Sequence, residues 1–155
     1  MKRYFSFLNS HFSTPSGFTL IELLLVIAII GILATFSLAN FLTVKQRARD
    51  AQRKSDLHQI QSALELYRTD AGSYPNALPA CGSPLTYTGS TYLQKIPCDP
   101  LNTGQSVYTY NSSGTTYSLV ACLENTNDSQ KDPTNDVTYC TGGTTNWSYT
   151  VTNPN

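Results

Sequence analysis

Polarity divides the chain into three stretches. Met1 to Gly17 is polar and basic, with Lys2, Arg3 and His11 ahead of Ser13-Thr14-Pro15-Ser16-Gly17. An apolar run follows at once, and from Leu23 to Val44 no side chain is ionisable. Leu, Ile, Val, Ala and Phe dominate it, and Gly31 is its one glycine. At about 1.5 Å per residue, a helix of that length reaches the roughly 30 Å of a bilayer's hydrocarbon core. From Lys45 to Asp70 there is neither Pro nor Gly. Ala48, Ala51, Leu57, Ile60, Leu64 and Tyr67 recur there at steps of three and four, with one step of six. The pattern predicts one helix from Phe18 to about Asp70, apolar all round in its first half and amphipathic in its second. Asp70-Ala71-Gly72 supplies the stop, and Pro75 prevents continuation.

Beyond Gly72 the alternation changes period. Val107-Tyr108-Thr109-Tyr110 and Thr116 to Ala121 read as strands, with turn chemistry at Asn111-Ser112-Ser113-Gly114 between them. Val137-Thr138-Tyr139 and Trp147 to Val151 are weaker strand candidates. Tyr74 to Asn102 reads as a long connecting loop. Eight of the ten tyrosines lie between Tyr74 and Tyr149, able to give both core area and polar tips. The predicted architecture is α+β: a long N-terminal helix laid on a small antiparallel sheet.

The chemistry concentrates at the head of the apolar run, where Glu22 stands. An unpaired carboxylate in lipid costs several kcal/mol, so a membrane segment that keeps one implies a partner for it. The plainer alternative is a residue that snorkels to the interface. A secretory signal places its apolar core before the cleavage site, but here Gly17 precedes the core. A cut after Gly17 leaves the apolar helix on the mature chain and gives Phe18 a free α-amine.

The run Gly17-Phe18-Thr19-Leu20-Ile21-Glu22-Leu23-Leu24 resembles the type III signal of type IV prepilins and type II secretion pseudopilins. The resemblance implies cleavage between Gly17 and Phe18 by a membrane prepilin peptidase, with N-methylation of Phe18. It implies that Glu22 pairs with the Phe18 amine of a neighbouring subunit in a helical filament, where opposite charges in a low dielectric attract strongly. Many type IVa pilins carry a proline midway along this helix. None stands between Pro15 and Pro75 here, so a straighter helix is expected, with any loosening near Gly31.

Further on, Tyr74-Pro75, then Ile96-Pro97-Cys98-Asp99-Pro100-Leu101-Asn102, Tyr108-Thr109-Tyr110 and Tyr117-Ser118-Leu119 resemble the G-type, major-pseudopilin head, over about residues 74 to 124. Many members of that group bind calcium in the loop after the hairpin. Asp128, Asp132 and Asp136 are the matching candidates, since calcium takes six to eight oxygens from carboxylates and carbonyls. Their spacing is not that of an EF-hand, and Lys131 and Pro133 interrupt the loop. Its plainer reading is an acidic, soluble turn region.

Four cysteines, Cys81, Cys98, Cys122 and Cys140, lie in the part expected outside the cytoplasm. They allow three pairings and lack zinc-ribbon spacing. Sequential pairing, Cys81–Cys98 and Cys122–Cys140, closes two short loops and suits a small head with little core.

Formal charge is zero over the whole chain. Without Lys2 and Arg3, eight basic residues face ten acidic ones, a mature charge of −2 that supports no nucleic-acid footprint. The cluster Lys45, Arg47, Arg49, Arg53 and Lys54 runs against the positive-inside rule if the head lies outside. It reads as a solvated helical face, or as partners for acids such as Asp50 and Asp56 on adjacent subunits. His58 is alone on the helix, and no catalytic or phosphate-binding motif is present, so no enzyme is expected.

The expected organisation is a cleaved leader (1–17), a transmembrane and polymerisation helix (18–44), an amphipathic half (45–71) and a disulfide-stapled head (72–155). The chain would wait as a single-pass protein of the cytoplasmic (inner) membrane, head outside, in contact with lipid. It would then join a homopolymer with other pilin subunits. The competing expectation is an unpolymerised membrane-anchored binding module, which needs neither Glu22 nor the Gly17-Phe18 junction.

Overall fold

The computed structural model describes residues 17–104, 106–141 and 145–154. The leader expected over 1–17 lies outside them apart from Gly17. Helix α1 spans Leu20–Ala71. It runs through Gly31 without a break, and it stops where Gly72 takes the left-handed conformation (φ 77°) and donates its N–H to the Arg68 carbonyl at 2.8 Å. A residue without Cβ is favoured at that cap.

Contacts divide the chain into two units, with the boundary after Ala39. In the first, the α1 side chains from Leu20 to Leu33 are exposed, Ile27 by 60% and Leu33 by 62%. Among the described residues, no helix is long and apolar enough to cross a membrane.

The second unit carries the core. Strands β1 (Leu85–Tyr87) and β2 (Ser90–Leu93) form an antiparallel hairpin. Strands β3 (Thr109–Ser112), β4 (Tyr117–Leu123) and β5 (Trp147–Thr152) form an antiparallel sheet in the order β3-β4-β5. Leu57, Ile60, Ala63 and Leu64 of α1 pack with Tyr117, Leu119, Ala121 and Leu123, which alternate along β4 and so share one face. The intervening Val120 and Cys122 pack with Cys140 and Tyr139 on the other face. β4 is therefore covered on both sides, which is why it reads as a nearly unbroken apolar run.

Three local expectations need correction. The stretch Tyr74 to Asn102 is not all loop, for it holds the β1–β2 hairpin. Its two-residue turn is Thr88-Gly89, both at positive φ. That geometry is favoured by Asn-Gly and is uncommon for a β-branched residue, so the sequence carries no clear hairpin signal. Val137-Thr138-Tyr139 is a turn, closed by the Cys140 N–H on the Asp136 carbonyl at 2.8 Å. The β3–β4 connection lies two residues later than expected, since Ser112 pairs with Tyr117 and Gly114 takes φ 84°.

Candidate assembly site

Gly17 and Phe18 precede α1 and are exposed, Phe18 by 83%. Thr19 is the N-cap. Its N–H and its hydroxyl each donate to Glu22 Oε2 at 2.8 Å, and the Glu22 N–H returns to Thr19 Oγ1 at 3.3 Å. This is a reciprocal capping box, with a carboxylate at the positive end of the helix dipole. Glu22 therefore has a fixed place at the helix mouth, four residues after Phe18. Glu22 stands out in the sequence and Thr19 does not, although Thr-x-x-Glu before an apolar run is a recognisable signature.

Further along α1 the buried face carries charge. Asp50, Arg53, Leu57, Ile60 and Leu64 follow steps of three, four, three and four, and all five are buried. Ala48 and Ala51, expected on that stripe, are exposed. The six-residue gap in the apolar pattern marks the place where Arg53 replaces a hydrophobic residue.

The Arg53 side chain has no solvent exposure. Its Nε and Nη2 donate to the two Asp99 oxygens at 2.7 and 3.1 Å, and its Nη1 donates to Asp50 Oδ1 and Glu124 Oε1, both at 2.8 Å. Arg49 grips Glu124 with Nε and Nη2. Asp50 also accepts the backbone N–H groups of Glu124 and Asn125 at 2.9 and 2.7 Å. Two guanidinium groups thus meet three carboxylates with their remaining oxygens hydrogen-bonded, the condition under which burying ions is tolerable. Burial alone would depress Arg53, but the bonds to Asp99, Glu124 and Asp50 outweigh it and hold the guanidinium firmly protonated. The Arg49 bond, against burial and with help from Arg53, holds Glu124 below the usual carboxylate range.

For Arg49, Arg53 and Lys54 this arrangement corrects the reading of a solvated face or of intersubunit partners. Arg49, Arg53 and Lys54 are satisfied within the chain. Lys45 lies 4.5 Å over the Phe41 ring, and Arg47 is exposed.

The tyrosines meet the acids of α1. Tyr108 donates to Asp56 and Tyr92 to Asp70, both at 2.6 Å; Tyr74 and Tyr117 both reach Glu65, at 2.9 and 3.2 Å. The rings fill the interface while the phenols satisfy the helix carboxylates. Burial raises Asp56 against the opposing Tyr108 bond. His58 is exposed and shares hydrogen bonds at 3.1 Å with Gln61 and the Tyr149 hydroxyl.

Two disulfides, Cys81–Cys98 and Cys122–Cys140, close loops with sequence separations of 17 and 18. The first is beside Asp99, and so holds the loop that meets Arg53. The second ties the 136–140 turn to the back of β4.

The loop acids do not converge. Asp128 takes Lys54 Nζ on both oxygens, at 3.1 and 2.9 Å, and the Gln130 N–H at 2.9 Å. Asp132 takes the Thr150 N–H and hydroxyl at 3.0 and 2.7 Å. Asp136 takes the Thr138 N–H at 2.9 Å. Among the described residues, no three His, Cys, Asp or Glu side chains are placed to hold a metal. The three carboxylates turn to different neighbours and do not converge, so they do not fit the calcium ion expected of them.

The prokaryotic N-terminal methylation motif matches residues 13–38. The type II secretion system protein G family matches residues 40–139. The type II secretion system core protein G of Aeromonas hydrophila is 34% identical over 95 residues, 55% of this chain and 66% of that protein. The Vibrio cholerae protein is 32% identical over 94 residues, 55% and 64% of the two chains. The Pseudomonas aeruginosa protein is 31% identical over 110 residues, 64% and 75%. The chain thus spans just under two thirds of the first two relatives. No solved structure matches it at a significant level. A methylation motif at the mouth of an apolar helix, and a head matched from residue 40 to residue 139, make this chain a member of the type II secretion system protein G family.

Proposed function

We propose that the chain is a structural subunit of a type II secretion pseudopilus or a related type IV pilus-like filament. A prepilin peptidase cuts between Gly17 and Phe18, and the new Phe18 amine is methylated. The subunit waits in the cytoplasmic membrane through the apolar residues 18–44, with the head outside. Copies then leave lipid and pack these helices against one another.

The observation that supports this best is the exposed apolar surface of α1 behind a capped Glu22. A surface of that kind calls for lipid or protein cover. In the filament, Glu22 would pair with the Phe18 amine of a neighbour while Thr19 fixes its carboxylate. A single anchored binding module would need the apolar residues but neither the junction nor the acid. The head pairs Arg49, Arg53 and Lys54 with its own acids, which suits a structural subunit.

Substituting Glu22→Ala tests this reading. Membrane insertion of the variant is expected to match wild type, while sheared filament yield falls at least tenfold. Normal filament yield from Glu22→Ala contradicts the pairing role.

A further inference from the structure

We propose that the head fixes its C-terminal loop, residues 125–140, with two of its own lysine ammonium groups in place of a metal ion, so that its fold is indifferent to calcium. This concerns the head alone and holds whether or not the chain polymerises.

Lys54 projects from α1, next to Arg53. Its Nζ contacts three loop oxygens: Asp128 Oδ1 at 3.1 Å, Asp128 Oδ2 at 2.9 Å and Gln130 Oε1 at 3.0 Å. An ammonium has three N–H donors, so this set can use them all. The pair is largely shielded, with side-chain exposures of 19% and 14%. Lys131 acts from within the loop. Its Nζ donates to the Thr126 carbonyl at 2.6 Å and stands 4.0 Å above the Trp147 ring. Trp147 in turn donates Nε1–H to the Asp132 carbonyl at 2.7 Å. One cation thus pins the loop to the helix, and the other folds it over β5.

Asp132 uses both carboxylate oxygens on Thr150, and Asp136 Oδ1 accepts the Thr138 N–H. Calcium takes six to eight oxygens, and among the described residues no three His, Cys, Asp or Glu side chains are placed to hold a metal. A divalent ion brought to Asp128 would also face the Lys54 ammonium at hydrogen-bond distance. Lys131, which interrupts the acidic run in the sequence, is one of the groups that does the holding.

The test uses the full chain in detergent micelles, stripped with EDTA and then given CaCl₂. The chain's single tryptophan is Trp147, so its emission reports on this loop while circular dichroism follows thermal unfolding. Neither the midpoint nor the emission is expected to change with calcium. A site with Kd of about 10 μM would raise the midpoint by roughly ten degrees at about 1 mM calcium, and a rise of that kind overturns the proposal. Lys54→Met is expected to lower the midpoint and speed proteolysis within residues 125–136 equally with and without calcium, while Lys54→Arg restores much of the loss. Lys131→Gln is expected to shift Trp147 emission. Wild-type midpoint and proteolysis in Lys54→Met would remove Lys54 from this role. The calcium titration of the unmodified chain stands even if a variant fails to fold.

Discussion

Arg53 is the residue on which the head is centred. Its guanidinium joins α1 to the Asp99 loop and to the chain leaving β4. Removing one partner of such a buried cluster strands the others without water. Arg53→Met is therefore expected to destabilise the head by about 3–5 kcal/mol, more than any exposed basic residue on α1. Denaturant midpoints of Arg53→Met and Arg47→Met measure the contrast, with Arg47 expected within about 0.5 kcal/mol of wild type.

Acid titration gives a second expectation at this scale. Glu124, held low by Arg49, and Asp128, held low by Lys54 and the Gln130 N–H against burial, both favour their charged forms in the folded state. Their contribution is fully present above the unfolded carboxylate values of about 4 and is lost as pH falls through the lower folded values. Asp56, raised by burial, works in the opposite sense: its stabilisation belongs to the protonated form and is lost as pH rises through its folded value. Loss of the Glu124–Arg49 and Asp128–Lys54 ion pairs predicts a thermal midpoint that falls on acidification below about pH 4. A midpoint that climbs there would show that Asp56 dominates.

Among the elements, α1 and β4 carry the core. Leu57, Ile60 and Leu64 are wholly buried, and truncating Ile60 to Ala is expected to cost about 2–5 kcal/mol, read from chemical denaturation. The Cys122–Cys140 bridge closes a short loop whose loss costs about 3 kcal/mol. The Cys122→Ser/Cys140→Ser double variant should lower the midpoint and loosen the 136–140 turn in hydrogen exchange, while the amides of α1 between Leu57 and Leu64 keep their protection order.

The elements also show what a sequence can express. α1 was legible because its apolar period, its glycine stop and its lack of proline agree. β4 was legible as a short apolar run and β3 from its Thr and Tyr beside a glycine turn, although the connection between them lies two residues later than the turn chemistry suggests. The β1–β2 hairpin was not, because its Thr88-Gly89 turn lacks the usual signal. Arg53 was hidden for a different reason. A charge on a helix reads as exposed until its partners are known, and Asp99 and Glu124 lie 46 and 71 residues away. Asp128 and Asp132 turn to Lys54 and Thr150, which no local spacing reveals, whereas Asp136 accepts the N–H of Thr138 two residues on.

At the scale of the molecule, the two units have opposite characters. The head buries Arg53 among its own acids, turns four tyrosine hydroxyls to carboxylates of α1 and closes both disulfides. The N-terminal part of α1 leaves apolar side chains uncovered and ends in a capped acid beside the Gly17-Phe18 junction. An uncovered apolar surface beside that junction suits the proposed filament subunit. Intact-mass analysis of filaments sheared from the native cells, with electron microscopy of the same material, tests this most directly. The account predicts polymerised subunits that begin at methylated Phe18 and contain both disulfides. A product that still begins at Met1 and remains monomeric would contradict it.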